Sequence, residues 1–277
     1  MADSLLEAKD LTLDIAKRDT IVMDTLIEKI PSLKKDSAEI FVVLLDGTHH
    51  QYYWPEDFPA KFSPYLESFH YLSMNKNLDG IKNRYKNSIF YLDFMMAKFF
   101  KALKDNDLYD DAIIIFTGDH GEEFREEGRY FHGTELCLPQ SQVPIYYHLP
   151  GVEKLPYEKS ISSHIDIFPT ILDYLECDAP TPSLIGTSVL QPGGEFALSC
   201  RPSHPTPIDF YIHNGDYKVV FEFVNTQNIY APGGLEIKGG SDNKGHPLHL
   251  GTTDQEIITK VQEDFGPYLE KVFPFKD

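Results

Sequence analysis

Four side chains in two short segments have the types and neighbours for chemistry: His49, and the group Asp119, His120 and His132. The second segment runs AIIIFTGDHGEEFREEGRYFH from Ala112 to His132. Its apolar start, Ala112 to Phe116, breaks abruptly into Thr117-Gly118-Asp119-His120-Gly121. A carboxylate beside an imidazole suits a metal ion or an anionic centre, and flanking glycines let the backbone turn and approach a ligand. A second His-Gly pair follows at His132-Gly133. The same residues also fit a plain loop, with Asp119 capping a following helix and both histidines in solvent. The first segment, Asp46-Gly47-Thr48-His49-His50, repeats the form: it too follows an apolar run, Glu39 to Leu45.

Those segments need elements to hold them. Short continuous runs rich in Ile and Val are what strands buried on both faces look like. Residues 39–45 and 112–116 are therefore expected as strands, with His49 and Asp119 just past their ends. Ahead of both, the spacing of Ile15, Val22, Leu26 and Ile30 predicts a helix over 11–30 that Pro31 ends. Ile81, Tyr85, Ile89, Leu92, Met96, Phe99 and Leu103 predict another over 80–104. A third strand is expected at 142–149, and a helix at 163–176 capped by Ser163 or Asp166. The acidic run Glu122, Glu123, Glu126, Glu127 suits a solvated first helical turn, with Glu122 placed to orient His120. His164 reads as structural.

From residue 195 the texture changes to shorter runs, and Asn214-Gly215 marks a hairpin. Residues 225–251 read as polar, Gly-rich loop, and Thr253 to Glu256 as the capping box of a closing helix. Alternating strands and helices predict an α/β fold, with a mostly parallel sheet, helices on both faces and a smaller antiparallel C-terminal portion. The expected division is 1–194 for the α/β domain and 195–277 for the β-rich remainder. In such sheets ligands bind beyond the carboxyl ends of the strands. Two parallel strands would bring DGTHH and TGDHG to one edge, as one site.

Composition narrows the chemistry. Of 277 residues 42% are hydrophobic, enough for a large core. The net charge of −18 argues against nucleic acid as a partner, because that needs a basic footprint. It also means that an anionic substrate needs local metal ions, histidines or backbone donors to overcome an acidic field. No apolar stretch approaches the roughly 20 residues of a membrane span, and Met1 is followed by no basic signal-peptide region. Three scattered cysteines imply no disulfide framework.

Taken in order, several segments resemble the sulfatase/alkaline phosphatase superfamily. They are His49-His50-Gln51-Tyr52, the Tyr85…Asn87…Asp93 helix, FTGDHGEEFREEG with His132-Gly133, Gln142-Val143-Pro144, SHIDIFPTILDYL and Gly186-Thr187-Ser188. The phrase LLDGTHHQYYWPEDFP is most similar to the membrane-anchored branch, which holds phosphoethanolamine transferases and lipoteichoic acid synthases. The resemblance implies an alkaline-phosphatase-like fold and metal-dependent hydrolysis or transfer of phosphate or sulfate esters. By motif, Asp119 and His120 would be ligands of a divalent metal (Mn, Zn, Mg or Ca). His49 would contact the phosphate or sulfate, and His132 would bind the transferred group, a second metal or the leaving oxygen.

The family's acidic strand end and its Thr, Ser or formylglycine nucleophile precede the region that matches here. The expectation is thus the C-terminal part of a catalytic domain, inactive alone, that lacks an N-terminal half or self-associates. A membrane enters only through an upstream anchor, as in relatives that hold this domain outside the cytoplasm. The alternative is a regulatory or binding protein with the same fold and no turnover.

Overall fold

The computed structural model describes residues 14–35, 37–68, 77–157, 161–177, 186–192, 196–202, 208–213, 217–223 and 235–242, with positions 259 and 263. Two compact units result, Met1–Ile113 and Ile114–Asp277. The antiparallel C-terminal sheet lies inside the second unit.

In the first unit, α1 (Ile15–Lys29) begins where Asp14 accepts the Lys17 N–H at 2.8 Å. Its buried face is Ala16, Asp19, Met23 and Leu26, slightly rotated from the expected stripe because Asp19 turns inward. Asn77 caps α2 (Leu78–Asp105) by accepting the Gly80 N–H. Met23 packs against Tyr91 and Met95 of α2, and Leu45, Trp54, Phe58 and Phe99 close over them. Thr20 Oγ1 meets the Tyr91 hydroxyl at 2.7 Å across the helix pair.

Residues 46–67 form no helix or strand, so side chains satisfy their backbone. Asp19 accepts the N–H groups of Asp46 at 3.0 Å and Gly47 at 2.6 Å. Burial raises its pKa, against the lowering effect of those two donors. A Cβ on Gly47 would come within 2.9 Å of the Asp19 carboxylate, so this approach requires glycine. Asn87, buried in α2, accepts from Lys61 N and Phe62 N and donates to Phe62 O at 3.0 Å. Arg84 donates to the carbonyls of Gln51, Leu66 and Glu67 while its guanidinium lies 5.1 Å from the Trp54 ring. Three polar side chains on two helices thereby shape the segment that carries His49.

The expected strand at 39–45 is corrected. It joins no ladder, and Ile40, Val42 and Leu44 are 91%, 94% and 73% exposed. An apolar run becomes a buried strand only when neighbours supply hydrogen bonds on its edges and cover on its faces.

In the second unit, β1 (Ile114–Thr117) leads into the Asp119-His120 turn. Its partner is β4 (Ile145–His148), antiparallel, with Ile114 opposite His148 and Thr117 opposite Ile145. Among the described residues all ladders are antiparallel, that of β1 with β4 included. The reason lies between the strands. A parallel return needs a crossover, usually a helix spanning the sheet. Here the connection holds only the hairpin β2 (Glu123–Phe124) and β3 (Tyr130–Phe131) and one turn of helix, α3 (Leu138–Ser141). The chain therefore returns from the end at which it left.

Helix α4 (Ile167–Tyr174) follows a 3-10 turn at His164–Asp166. Ser163 and Asp166 form a reciprocal capping box, so both candidate caps are used. The buried Asp166 also accepts Thr187 N at 2.7 Å, and Thr170 Oγ1 accepts Val189 N at 3.0 Å.

The C-terminal strands β5 (Ala197–Pro202), β6 (Ile208–His213), β7 (Tyr217–Phe223) and β8 (Leu235–Asp242) form one antiparallel sheet in chain order. The β6–β7 pairing, with His213 opposite Lys218, agrees with a hairpin at Asn214-Gly215, which itself lies outside the described residues. Strand β8 falls where loop was expected. Its Gly239 and Gly240 carry no hydrophobic signal but pair with Val220 and Val219, beside a register shift at Val220/Phe221. Of the closing helix expected after Thr253, the described positions are Thr259 and Glu263, both helical.

Candidate functional site

Strand β1 ends in Thr117, and the next backbone groups are held from two sides. His164 Nε2 lies 2.8 Å from Gly118 O and 3.2 Å from Thr117 Oγ1. Gly121 N donates to Gln140 O at 2.9 Å. A Cβ on Gly121 would sit 2.2 Å from Pro139 O, so only glycine permits this approach. His164, read as merely structural in the sequence, thus clamps the carbonyl directly before Asp119. No local pattern announced that contact.

The acidic run is not a helical turn. Glu123 pairs with Phe131 and Phe124 with Tyr130 in a short antiparallel ladder. One step beyond that ladder, the register places Glu122 opposite His132. Alternate residues of a strand point to opposite sides, so Glu122 and Glu123 have different fates.

Glu123 is buried completely, contrary to the expectation of a solvated run. Its carboxylate accepts from Arg129 N at 2.7 Å, Glu127 N at 3.0 Å, Gln140 Nε2 at 2.8 Å and the Cys137 thiol at 3.4 Å. Burial pushes its pKa up, but these donors outweigh burial and hold it below the ordinary value. Burial and the Glu123 carboxylate push the Cys137 thiol up to about 12. Gln140 extends the network, its Oε1 accepting Thr134 N and Glu135 N, both at 3.1 Å.

Glu122 turns the other way. Its Oε2 lies 2.7 Å from His132 Nδ1, with the two side chains 7% and 24% exposed respectively. The sequence reading paired Glu122 with His120; the structure gives its contact to His132. Phe131, buried and at a φ of 66°, turns the chain so that His132 faces back. The His120 and His132 rings lie 3.8 Å apart between centroids, inclined by 30°. His120, Glu122 and His132 each offer a ligand atom within 4.8 Å of the others. Two imidazoles and a carboxylate at that separation are a donor set that fits a divalent metal.

Asp119 stands apart from this trio. Its side chain is 73% exposed, Oδ1 accepts His120 N at 3.0 Å, and Oδ2 lies 3.7 Å from His120 Nε2. His49 belongs to the first unit and is exposed, in a turn where its N–H donates to Asp46 O and its carbonyl accepts from Tyr52 N. The structure therefore brings His120 and His132 together, adds Glu122 to them, and keeps Asp119 beside His120.

Comparison with known proteins identifies the class. Residues 11–177, more than half of the chain, match the family model described as Sulfatase. The chain belongs to the sulfatase family. Arylsulfatase K of Canis lupus familiaris is 32% identical over 149 residues, covering 49% of this chain and 27% of that protein. Phosphoethanolamine transferase EptA of Helicobacter pylori is 32% identical over 142 residues, covering 47% of this chain and 26% of that protein. The chain thus matches about a quarter of the length of these relatives. The putative sulfatase yidJ of Bacteroides fragilis superposes with a TM-score of 0.64 at 17% identity, over 91% of this chain and 58% of that one. The fold is alkaline-phosphatase-like.

Proposed function

We propose that this chain supplies the metal- and oxyanion-binding part of a site that hydrolyses or transfers phosphate or sulfate esters. The observation that carries the reading is the convergence of His120, Glu122 and His132 behind β1 in a sulfatase-family chain. A bound divalent metal neutralises charge on the transferring group and lowers the pKa of a coordinated hydroxyl. His132 donates a hydrogen bond to a sulfate or phosphate oxygen, with Glu122 fixing its ring through Nδ1. Asp119 adds negative charge on the outer side of His120. The trio contains no hydroxyl or thiol, so in this reading it binds and orients while the nucleophile comes from elsewhere.

Two measurements on the purified chain test this. With zinc or manganese present, inorganic phosphate or sulfate binds, and His132→Ala weakens that binding about tenfold or more, the loss of one charge-assisted hydrogen bond. Hydrolysis of 4-nitrophenyl phosphate or sulfate stays at the level of the His132→Ala chain. Absence of anion binding would overturn the reading. Turnover abolished by His132→Ala would show instead that the nucleophile lies within these residues.

We also propose that the exposed run Ile40–Leu44 drives self-association, because contiguous exposed apolar side chains favour burial against another copy. Sedimentation of the parent should show concentration-dependent oligomers, and Val42→Lys should shift it toward monomer. A parent that stays monomeric at high micromolar concentration would remove this proposal.

A further inference from the structure

We propose that His164 is a positioning residue for the turn that carries Asp119 and His120, and that the segment Gly186–Val189 sets it from behind. The inference rests on the site proposed above, because Asp119 and His120 follow directly on the carbonyl that His164 holds.

The hydrogen-bond chemistry at this point has one solution. Gly118 O lies 2.8 Å from His164 Nε2, and a carbonyl oxygen only accepts, so Nε2 carries a hydrogen and donates it. The Thr117 hydroxyl donates to the same carbonyl at 3.0 Å, which leaves its lone pairs to face Nε2 at 3.2 Å. One imidazole N–H thereby spans the last residue of β1 and the first residue of the turn. The peptide unit is planar, so a fixed Gly118 carbonyl fixes the plane from which Asp119 leaves the strand. At the far side of the turn, Gly121 N donates to Gln140 O at 2.9 Å. His164 and Gln140 thus hold the turn from opposite ends, with the largely exposed Asp119 between them.

An exposed histidine can hold a carbonyl only if its own backbone is fixed. His164 opens the 3-10 turn His164–Asp166. The buried Asp166 accepts Ser163 N at 3.0 Å and Thr187 N at 2.7 Å. Thr170 Oγ1 donates to Asp166 O at 2.6 Å and accepts from Val189 N at 3.0 Å. A Cβ on Gly186 would lie 2.0 Å from Ile165 O, so the backbone at Gly186 presses directly on the 3-10 turn. A segment distant in sequence therefore braces His164, and His164 braces the Asp119–His120 turn.

The test is amide hydrogen exchange on the whole chain, read residue by residue by NMR. His164→Leu keeps bulk and removes the donor. Its His120 and Gly121 amides should exchange about threefold to tenfold faster than in the parent, the equilibrium equivalent of one net hydrogen bond. Amides of β6 and β7 should keep their parent rates, because replacing an exposed side chain leaves the core intact. His164→Gln, whose amide nitrogen can stand where Nε2 stands, should return both rates to within about twofold of the parent. Gly186→Ala should give the same local acceleration with His164 still present. Affinity for inorganic phosphate in the presence of zinc should follow the same order, with parent and His164→Gln above His164→Leu.

Unchanged exchange at His120 and Gly121 in His164→Leu would overturn the proposal. So would acceleration that spreads equally to β6 and β7, or a His164→Gln chain that exchanges as fast as His164→Leu, since the donated hydrogen bond would then not be what holds the turn. Parent rates in Gly186→Ala would overturn the part assigned to Gly186–Val189. A parent that binds no phosphate removes the functional reading alone, because the exchange rates still decide the role of His164.

Discussion

Replacing Glu123 with alanine is expected to destabilise the second unit by about 3–5 kcal/mol, the range for removing one partner from a buried charged network. The carboxylate is wholly buried and accepts from Arg129 N, Glu127 N, Gln140 Nε2 and the Cys137 thiol. Its removal strands these donors, and the hairpin that presents Glu122 and His132 loses its anchor. Glu123→Gln keeps the size but turns an amide N–H₂ toward Gln140 or the backbone donors, and should cost about 1–3 kcal/mol. Urea unfolding of parent and variant at pH 7 measures both. An effect below about 0.5 kcal/mol, the scale of ordinary surface substitutions, would show that the network contributes nothing.

The same residue sets a pH signature. In the folded chain the Glu123 pKa is held below its ordinary 4.5. A depressed carboxyl contributes stability in full above the unfolded pKa and loses it as pH falls through the folded value. The stability gap between parent and Glu123→Gln should therefore be constant from neutrality to about pH 5 and narrow below that. Asp19 has the opposite sign, because its folded pKa is raised and its ionisation costs stability as pH rises. For that reason the Glu123 contribution is read from the difference between the two chains, in which Asp19 cancels. A gap that stays flat down to pH 3 would mean that Glu123 is not the responsible group.

Gly121→Ala carries the second large effect. Its Cβ would meet Pro139 O at 2.2 Å and Gln142 O at 3.0 Å, both backbone atoms that cannot rotate away. Either α3 or the Asp119–Gly121 turn must move. We expect a loss of about 3 kcal/mol, the upper part of the usual range for overpacking. Zinc affinity should fall at least about tenfold, since a site loosened by about 1 Å no longer presents its ligands together. Gly151→Ala is the control. Gly151 has a φ of 77° with nothing within 4 Å of the added carbon, so only backbone strain of about 1 kcal/mol is expected, with metal binding unchanged. Equal zinc affinities in Gly121→Ala and the parent would show that the turn does not position His120.

Much of the framework was legible because its signals are local. Helix α2 followed from its periodicity, and the reciprocal cap at Ser163 and Asp166 from residue types three positions apart. The break from β1 into Thr117-Gly118-Asp119-His120-Gly121 marked the site, since a buried run must end where glycines and charged groups begin. Strands β6 and β7 followed from their alternating apolar runs around Asn214-Gly215. Strand β8 did not, because its glycines gain meaning only from the valines they pair with.

By itself, then, the sequence determined the family, helices α1, α2 and α4, and the two histidine-bearing segments that follow apolar runs. Only the tertiary structure decided how they are used. The run 39–45 looks like a strand in isolation, but strand character belongs to a pair, and it has no ladder among the described residues. The choice between Asp119, Glu122 and Glu123 was likewise closed to local reading, since three carboxylates within five positions share one chemistry. The β2–β3 register separated them, placing Glu122 across from His132 and turning Glu123 into the interior, while Asp119 stayed in solvent. Pairing register and burial depend on residues distant in sequence, and these two quantities assign each carboxylate its role.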